Sequence, residues 1–153
     1  MKTTETPKDL TVVCFRLDKQ RFGIPISHVK EIVIPPRLTP IFQTPPLIAG
    51  VVNLRGSVIM VLDLKKQMGY SPEYDEEAKR IVIVDIDGRF AGFLVNGIDS
   101  VIKVEAEKIE SLEDCGLDKL VQYCSGIVQF ETHSMALITI QAVLDLPEVK
   151  QFG

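Results

Sequence analysis

The sequence predicts a mainly β protein that folds as two small β-barrels sharing a packed interface. Three observations favour this fold class. The 153 residues include 17 Val and 16 Ile, whose β-branched side chains favour pleated strands. The apolar segments are short and separated by turn residues, and the pattern of the first half of the chain returns in the second half. Short strands that curl into a closed sheet leave no exposed edge, which favours barrels.

The clearest predicted element is a hairpin in the run Gly50–Leu64. Two apolar arms flank a polar Asn53 and the dipeptide Arg55-Gly56. Gly56 can adopt a positive φ, which a tight hairpin requires and a larger side chain resists. The run therefore predicts two paired strands with one guanidinium held near the bend.

An internal repeat extends this pattern to the rest of the chain. The segment Phe15–Val33 is similar to Val84–Ile102 at a shift of 69 residues, and Gly50–Leu64 is similar to Gly126–Ile140 at a shift of 76. Each copy contains a strand, a polar turn, a strand that passes through a glycine, and then a hairpin. Two diverged copies of one β unit are the simplest interpretation.

The repeat predicts the domain organisation. The first copy spans about 11–67, to which a closing C-terminal segment is added, and the second spans about 80–146. Each copy is small for independent folding, so the two are expected to pack together. Residues 1–10 and 147–153 are predicted to be flexible tails.

Three short helices are predicted between and after the strands. Ser27–Val33 has a potential N-cap serine and apolar residues on one side, and Glu105–Leu112 mixes charged with apolar positions. Gln141–Leu146 is predicted to form a last helical turn before Pro147.

Charge and hydropathy argue against several classes of protein. The net charge is −4 and the pI is about 5.2, whereas nucleic-acid-binding surfaces are normally basic. Residues 1–10 lack the apolar region of a signal peptide, and no segment approaches the ~18 apolar residues of a membrane span. We therefore expect a cytoplasmic protein that neither binds nucleic acid nor inserts into a membrane.

Motifs for catalysis or metal binding are sparse. The two histidines, His28 and His133, are far apart, and the sequence has no GxSxG, GxGxxG or GxxxxGK[ST] run. A metal site formed by Cys115, Cys124 and His133 is a minor alternative to surface or core positions for these residues. The 21 acidic residues leave a carboxylate-dependent hydrolase as an open alternative.

Arg55 and Glu31 each admit two interpretations from the sequence alone. Arg55 is either a solvated turn residue or an anchor for a protein partner, because arginine is enriched among the residues that dominate interface energies. Glu31 is either part of a solvated helix face or part of the same partner site.

The chain resembles the CheW family, the adaptors that couple chemoreceptors to a histidine kinase in bacterial chemotaxis. The motifs that carry the resemblance are Phe22-Gly23-Ile24 with Val29-Lys30-Glu31-Ile32, Gly50-Val51-Val52-Asn53-Leu54-Arg55-Gly56 with Val61-Leu62-Asp63-Leu64, Gly97-Ile98-Asp99-Ser100-Val101, and the closing stretch Tyr123–Leu144. Together they cover about Thr11–Leu146.

This resemblance implies two SH3-like five-stranded β-barrels, no catalytic activity and no cofactor. It implies two partners: the cytoplasmic tip of methyl-accepting chemoreceptors, which is a helical hairpin, and the SH3-like regulatory domain of a chemotaxis histidine kinase. The protein would then be cytoplasmic and recruited to membrane-associated receptor arrays.

The resemblance also implies site residues. Arg55, Val29, Glu31 and Val101 would line or border a receptor-binding groove between the barrels. The apolar positions Ile32, Val33 and Ile34, with the proline-rich loop that follows, would contact the kinase. The alternatives are a similar protein-binding module of another two-component pathway, the small hydrolase described above, and a nucleic-acid-binding barrel.

Overall fold

The computed structural model describes residues 9–113 and 120–150, which form two β-sheets and three short helices. The elements in chain order are β1 (Leu10–Leu17), β2 (Gln20–Pro25), β3 (Val29–Val33), β4 (Ile48–Leu54), β5 (Ser57–Leu62), α1 (Leu64–Met68), β6 (Arg80–Ile86), β7 (Arg89–Val95), β8 (Gly97–Val104), β9 (Ile109–Glu110), β10 (Cys124–Gln129), β11 (Ser134–Ile138), α2 (Ile140–Leu144) and α3 (Pro147–Lys150). The prediction of a mainly β protein with short helices is confirmed. Within the described ranges no helix is long and apolar enough to cross a bilayer.

Each sheet combines strands from both copies of the sequence repeat. The first sheet has the order β8-β1-β2-β11-β10-β9, and the second has the order β3-β6-β7-β5-β4. The hairpin β1–β2 of the first copy thus lies among strands of the second copy, and the hairpin β6–β7 of the second copy lies among strands of the first. The copies at about 11–67 and 80–146 are continuous in sequence, but each is divided between the two sheets.

The strand registers confirm the repeat at the level of individual residues. In the parallel pair β11·β2, Leu137 lies opposite Gly23, and in the parallel pair β5·β7, Val61 lies opposite Gly92. A shift of 69 residues relates Gly23 to Gly92, and a shift of 76 relates Val61 to Leu137, so the two pairs are equivalent in the repeat. Register irregularities in β4 and β10 also fall at equivalent positions. The two sheets are therefore two versions of one five-stranded unit, and β9 extends the first by two residues.

Most of the buried apolar side chains lie between the two sheets rather than inside either one. This shared core takes residues from the exchanged hairpins and from α2, and it includes Phe15, Phe22, Ile24, Val82, Phe93 and Val143. Two smaller clusters lie one in each sheet and occupy largely equivalent positions: Val12, Cys14, Val104, Val128, Met135 and Leu137 in the first, and Val52, Ile59, Val61, Ile81, Ile83 and Leu94 in the second. Because the largest core belongs to both sheets, they stabilise one another.

The predicted helix over Ser27–Val33 is wrong. Ile26–His28 form a single 3₁₀ turn with no side-chain cap, and Val29–Val33 form strand β3, which pairs with β6. The β-branched side chains of Val29, Ile32 and Val33 fit this strand, because they pack on a pleated surface more easily than along a helix.

Two further predictions near the C-terminus differ from the structure. In place of a helix over Glu105–Leu112, the chain forms a 3₁₀ turn at Ala106–Lys108 and strand β9, because Ile109 pairs with Val128 of β10. The helix before Pro147 is present as α2, but Pro147 begins α3, and its Val149 is buried in the shared core. Residues 147–150 are therefore packed and do not form a tail, and Leu10 already belongs to β1.

We predict that replacing Gly92 by alanine destabilises the fold more than the equivalent change at Gly23. A Cβ at Gly92 would lie 2.7 Å from Cγ2 of Ile81, a stiff β-branched side chain in a packed cluster. A Cβ at Gly23 would lie 3.0 Å from Sδ of Met135, a flexible thioether that can move. Overpacking of a core typically costs about 1–3 kcal/mol. Urea denaturation should place Gly92→Ala in this range and Gly23→Ala below it, and equal losses would contradict the explanation.

Candidate partner-binding site

The candidate site begins at the tip of the β4–β5 hairpin, whose conformation is set by a two-residue turn. Leu54 pairs with Ser57, so the loop consists of Arg55 and Gly56. Arg55 has a φ of 51° and Gly56 a φ of 87°, the left-handed pair of a type I′ turn that matches the twist of the strands. The Gly56 N–H donates to Oδ1 of Asn53 at 3.1 Å, which closes the turn.

This turn directs the Arg55 guanidinium to the carboxylate of Glu31 in β3. Nη2 of Arg55 donates to Oε1 of Glu31 at 3.0 Å, and Nη1 donates to Oε2. The contact is a two-pronged arginine–carboxylate pair, the arrangement with the strongest geometric preference among ion pairs. The Arg55 side chain is 74% exposed whereas that of Glu31 is 23% exposed, so most of the arginine side chain still faces solvent.

The ion pair also shows that the second sheet is curled. β3 and β4 are the two ends of its strand order, yet Glu31 on β3 reaches the turn that follows β4. Val33 of β3 likewise packs against the cluster that contains Val52 of β4. The ends of the sheet therefore approach one another, as they do in a small barrel.

The electrostatic effect of the pair is mutual. The hydrogen bond from Arg55, reinforced by its positive charge, holds the pKa of the Glu31 carboxyl below its ordinary value. The same contact raises the pKa of the Arg55 guanidinium. Both side chains are thus charged at neutral pH, and the site presents a fixed dipole to any partner.

The structure brings two of the four predicted receptor-contact residues into direct contact and separates the others. Val29 lies on β3 as Glu31 does, but its side chain packs against the shared core. Val101 lies on β8 in the first sheet, opposite Val13, and is 55% exposed. Val101 is the repeat equivalent of Ile32. Ile32 lies on β3 opposite Val82 of β6, just as Val101 lies on β8 opposite Val13 of β1.

The predicted kinase-contact residues alternate between the two faces of β3. Ile32 is 39% exposed and Ile34, just after the strand, is 72% exposed. Val33 points the other way and packs against the core of the second sheet. Of these three residues, Ile32 and Ile34 present apolar surface that a protein partner could cover.

An exposed aromatic residue was missed in the sequence. Phe42, in the proline-rich loop between β3 and β4, is 96% exposed, and Ile41 beside it is also exposed. The loop is attached to β4 by two backbone hydrogen bonds of 2.9 Å between Thr39 and Val51. An aromatic residue between stiff proline segments was the available signal, since such segments hold a side chain away from the core.

The β4–β5 hairpin of the second sheet corresponds to the β10–β11 hairpin of the first, whose tip carries different side chains. At the β10–β11 tip, the Phe130 ring stacks on His133 with centroids 5.0 Å apart, and Phe130 lines a shallow groove with Lys103, Glu105 and Lys108.

Cys124 is buried, and Cys115 of the alternative metal site lies outside the described residues. Over 9–113 and 120–150, no three His, Cys, Asp or Glu side chains are grouped to hold a metal ion.

We predict that the Glu31 pKa returns towards its ordinary value when Arg55 is replaced by alanine. The depressed pKa means that the ion pair favours the folded state above the ordinary pKa of the carboxyl. This contribution is lost as the pH falls through the lowered pKa. An NMR titration of the Glu31 side-chain carboxyl in both proteins measures the change, with Glu76, which pairs with Lys79 elsewhere, as an internal control. Identical Glu31 titration curves would show that the pair does not persist in solution.

Comparisons with known proteins agree on one family. The family model of the CheW-like domain matches residues 11–148. The chain is 31% identical over 145 residues to the chemotaxis protein CheW of Bacillus subtilis, covering 94% of this chain and 92% of that protein. It is 30% identical over 138 residues to the CheW of Klebsiella aerogenes, covering 88% of this chain and 81% of that protein.

A solved structure extends the agreement to the fold. The crystal structure of the scaffolding protein TtCheW from Thermoanaerobacter tengcongensis superposes with a TM-score of 0.81 at 29% identity, covering 97% of this chain and 96% of that one. The prediction of two SH3-like β domains is thereby confirmed. The match of the family model, the relatives and the shared fold together show that this chain belongs to the CheW-like domain family.

Proposed function

We propose that this chain is a non-catalytic scaffold that couples chemoreceptors to a histidine kinase in bacterial chemotaxis. Its proposed partners are the cytoplasmic tip of methyl-accepting chemoreceptors and the SH3-like regulatory domain of the kinase. It would act in the cytoplasm, at membrane-associated receptor arrays. Membership of the CheW-like family and the names of the relatives, which are chemotaxis and scaffolding proteins, support this role.

The observation that carries the proposal is the conformation of Arg55. A left-handed φ suits Gly, Asn or Asp, and a long side chain adopts it only at a cost. The turn nevertheless places arginine there and holds its guanidinium against Glu31 while most of the side chain stays in solvent. Strained backbone of this kind persists where it serves function. We therefore assign the guanidinium a contact with the receptor tip.

The proposed receptor surface includes Glu31 and Val101 in addition to Arg55. Glu31 fixes the direction of the guanidinium, and Val101 offers exposed apolar surface on the other sheet. An amphipathic helical hairpin can use both, because its apolar face requires a nonpolar contact and its charged residues set the register. Val29 supports β3 from the core side, and its contribution to binding would be indirect.

The proposed kinase surface consists of Ile32 and Ile34, with Phe42 in the neighbouring loop. All three expose apolar area, and exposed apolar surface of this kind marks sites of protein–protein interaction. Val33 holds the strand in place by packing inward. Catalysis has no part in the proposal, since the relatives of this chain are named as chemotaxis and scaffolding proteins.

We predict that Arg55→Glu prevents assembly with receptors while kinase binding is retained. The reversed charge faces Glu31 and removes the proposed receptor contact. Co-sedimentation with receptor-bearing membranes and kinase measures assembly, and pull-down with kinase alone measures the second contact. The matched control is Arg89→Glu, because Arg89 is also a partly exposed arginine paired with a carboxylate, Asp145 at 3.3 Å. Equal assembly of wild type and Arg55→Glu would overturn the assignment.

A charge exchange separates a receptor contact from a structural role. The double variant Glu31→Arg with Arg55→Glu can form the ion pair again with the charges reversed. If the pair only stabilises the hairpin, the double variant should assemble like wild type. We expect it to fold like wild type in thermal denaturation and to remain defective in assembly, because the receptor meets the wrong charge at position 55.

We predict that Ile34→Asp weakens kinase binding by at least tenfold and leaves receptor binding unchanged. The side chain is 72% exposed, so the substitution removes an apolar anchor without opening a cavity in the core. Val121→Asp is the control, because Val121 is an exposed aliphatic residue outside the proposed surface. Titration calorimetry with the kinase regulatory domain gives the dissociation constants. Similar losses for both variants would mean that Ile34 has no specific role.

A further inference from the structure

The two copies of the repeat are held together by strand pairs that always join one copy to the other. These pairs are β1·β8, β2·β11, β3·β6 and β5·β7. Within one copy the paired strands are the hairpins, β1·β2 and β4·β5 in the first and β6·β7 and β10·β11 in the second, together with the short pair β9·β10. Neither copy can complete a sheet by itself. The same inter-copy strand pairs could form with the matching copy of another molecule.

One covalent connection decides whether the matching copy comes from the same molecule. It is the segment 69–79 between α1 and β6. A short flexible linker raises the effective concentration of its ends to the millimolar range, which favours pairing within one chain at ordinary protein concentrations. Connections that are too short to allow this pairing produce exchanged dimers instead.

A buried polar cluster fastens this segment to both copies. Lys65 in α1 has no exposed surface; its Nζ donates to the backbone carbonyl of Glu73 and lies 3.8 Å from the centre of the Tyr74 ring. The Tyr74 hydroxyl donates to Oδ1 of Asp63 at 3.0 Å and lies 3.4 Å from the carbonyl oxygen of Leu94. Burial and the nearby Asp63 carboxylate raise the pKa of the Tyr74 phenol, so it remains a donor.

The cluster reaches across the boundary between the copies. Asp63 and Lys65 belong to the first copy, whereas Leu94 belongs to β7 of the second. Asn96 of the second copy also donates from Nδ2 to the Glu73 carbonyl at 3.2 Å. If the copies separated, segment 69–79 would keep either its contacts with Asp63 and Lys65 of the first copy or its contacts with Leu94 and Asn96 of the second, but not both. The cluster therefore favours the closed, single-chain arrangement.

We propose that a second copy of this chain is a binding partner through reciprocal exchange of the repeat copies, and that segment 69–79, fastened by Lys65 and Tyr74, keeps the exchange within one chain. In the exchanged dimer, the β1–β2 hairpin of one molecule completes the sheet formed by β8, β11 and β10 of the other. All inter-copy strand pairs and the shared core are conserved in number, and only the connection changes its path.

The test shortens the connection in the full-length chain. One variant lacks residues 71–77 and carries Lys65→Met, since the deletion removes the partners of the buried amine. Its matched control carries Lys65→Met and replaces residues 71–77 by a Gly/Ser sequence of equal length. At micromolar protein, size-exclusion chromatography with light scattering should give twice the monomer mass for the shortened chain and the monomer mass for the control. Because the control has lost the contacts of Lys65 and Tyr74, its dimer should appear at a lower protein concentration than the dimer of the natural chain. A folded, monomeric shortened chain would overturn the proposal.

Cross-linking shows whether such a dimer is the exchanged one. Thr11 of β1 and Lys103 of β8 lie directly opposite one another across an inter-copy pair, at a spacing that suits a disulfide. Thr11→Cys and Lys103→Cys are placed in separate, differently tagged shortened chains, each with Cys115→Ser. Cys14 and Cys124 are buried, and burial raises their thiol pKa to about 11 and about 12, so they are unreactive in the folded chains. The chains are therefore refolded in a reductant and oxidised only after folding. Co-refolded chains should form the disulfide between the two tags, and a dimer without it would contradict exchange.

The chain with its natural connection provides a second measurement if the shortened chain does not fold. The same two cysteine variants, each with segment 69–79 intact, are unfolded together and refolded at increasing concentrations. The yield of the inter-chain disulfide should rise towards about millimolar protein and be absent at micromolar protein, following the effective concentration of the linker. A yield of zero at every concentration would overturn the proposal.

Discussion

The reciprocal exchange of hairpins between the two repeat copies is the constraint on which the rest of the structure depends. The β1–β2 hairpin completes the sheet of the second copy, and the β6–β7 hairpin completes the sheet of the first. The two copies therefore contact one another through strand pairs inside each sheet and through the shared core between the sheets. Two small barrels of this size would each bury little apolar surface alone. The exchange makes them one cooperative unit, which a scaffold requires if it is to transmit force or position between two partners.

The geometry of the candidate site depends on this exchange. Glu31 and Arg55 both come from the first copy, but within the sheet β3 is joined to the β4–β5 hairpin only through strands of the second copy. β3 pairs with β6, and β5 pairs with β7. The hairpin of the second copy therefore sets the distance between the strands that carry the two charges. A change in packing under β6–β7 would reach the ion pair without altering either of its residues.

Sequence reasoning recovered the elements whose signals are local. The Arg55-Gly56 turn is visible because glycine at a hairpin bend has few structural alternatives, and the repeat is visible because both copies retain the same glycine and apolar spacing. Arg55 and Glu31 were named as site residues, but their mutual contact was not predicted. The contact depends on the curl of a sheet that brings its two end strands together, which no local pattern encodes.

The failures have an equally physical origin. The segment after Ser27 has apolar residues at helical spacing, but pairing with β6 gives its β-branched side chains a better environment. The exchange of strands was missed because intramolecular and exchanged pairings bury the same residues and leave the same pattern in the sequence. The Asp63–Lys65–Tyr74 cluster was missed because a buried lysine looks like a solvated one until the segment that covers it is placed.

The pairing of β2 with β11 has a consequence for biosynthesis. The ribosome releases the N-terminal strands first, and their completing partner ends at Ile138, near the other end of the chain. Until then Phe15 and Phe22 have no finished core to enter, although they are fully buried in the final structure. The nascent chain must therefore carry apolar surface until β11 has been synthesised, and contacts between residues far apart in sequence form slowly. Truncated translation products would be unable to fold and would be natural targets for chaperones and proteases.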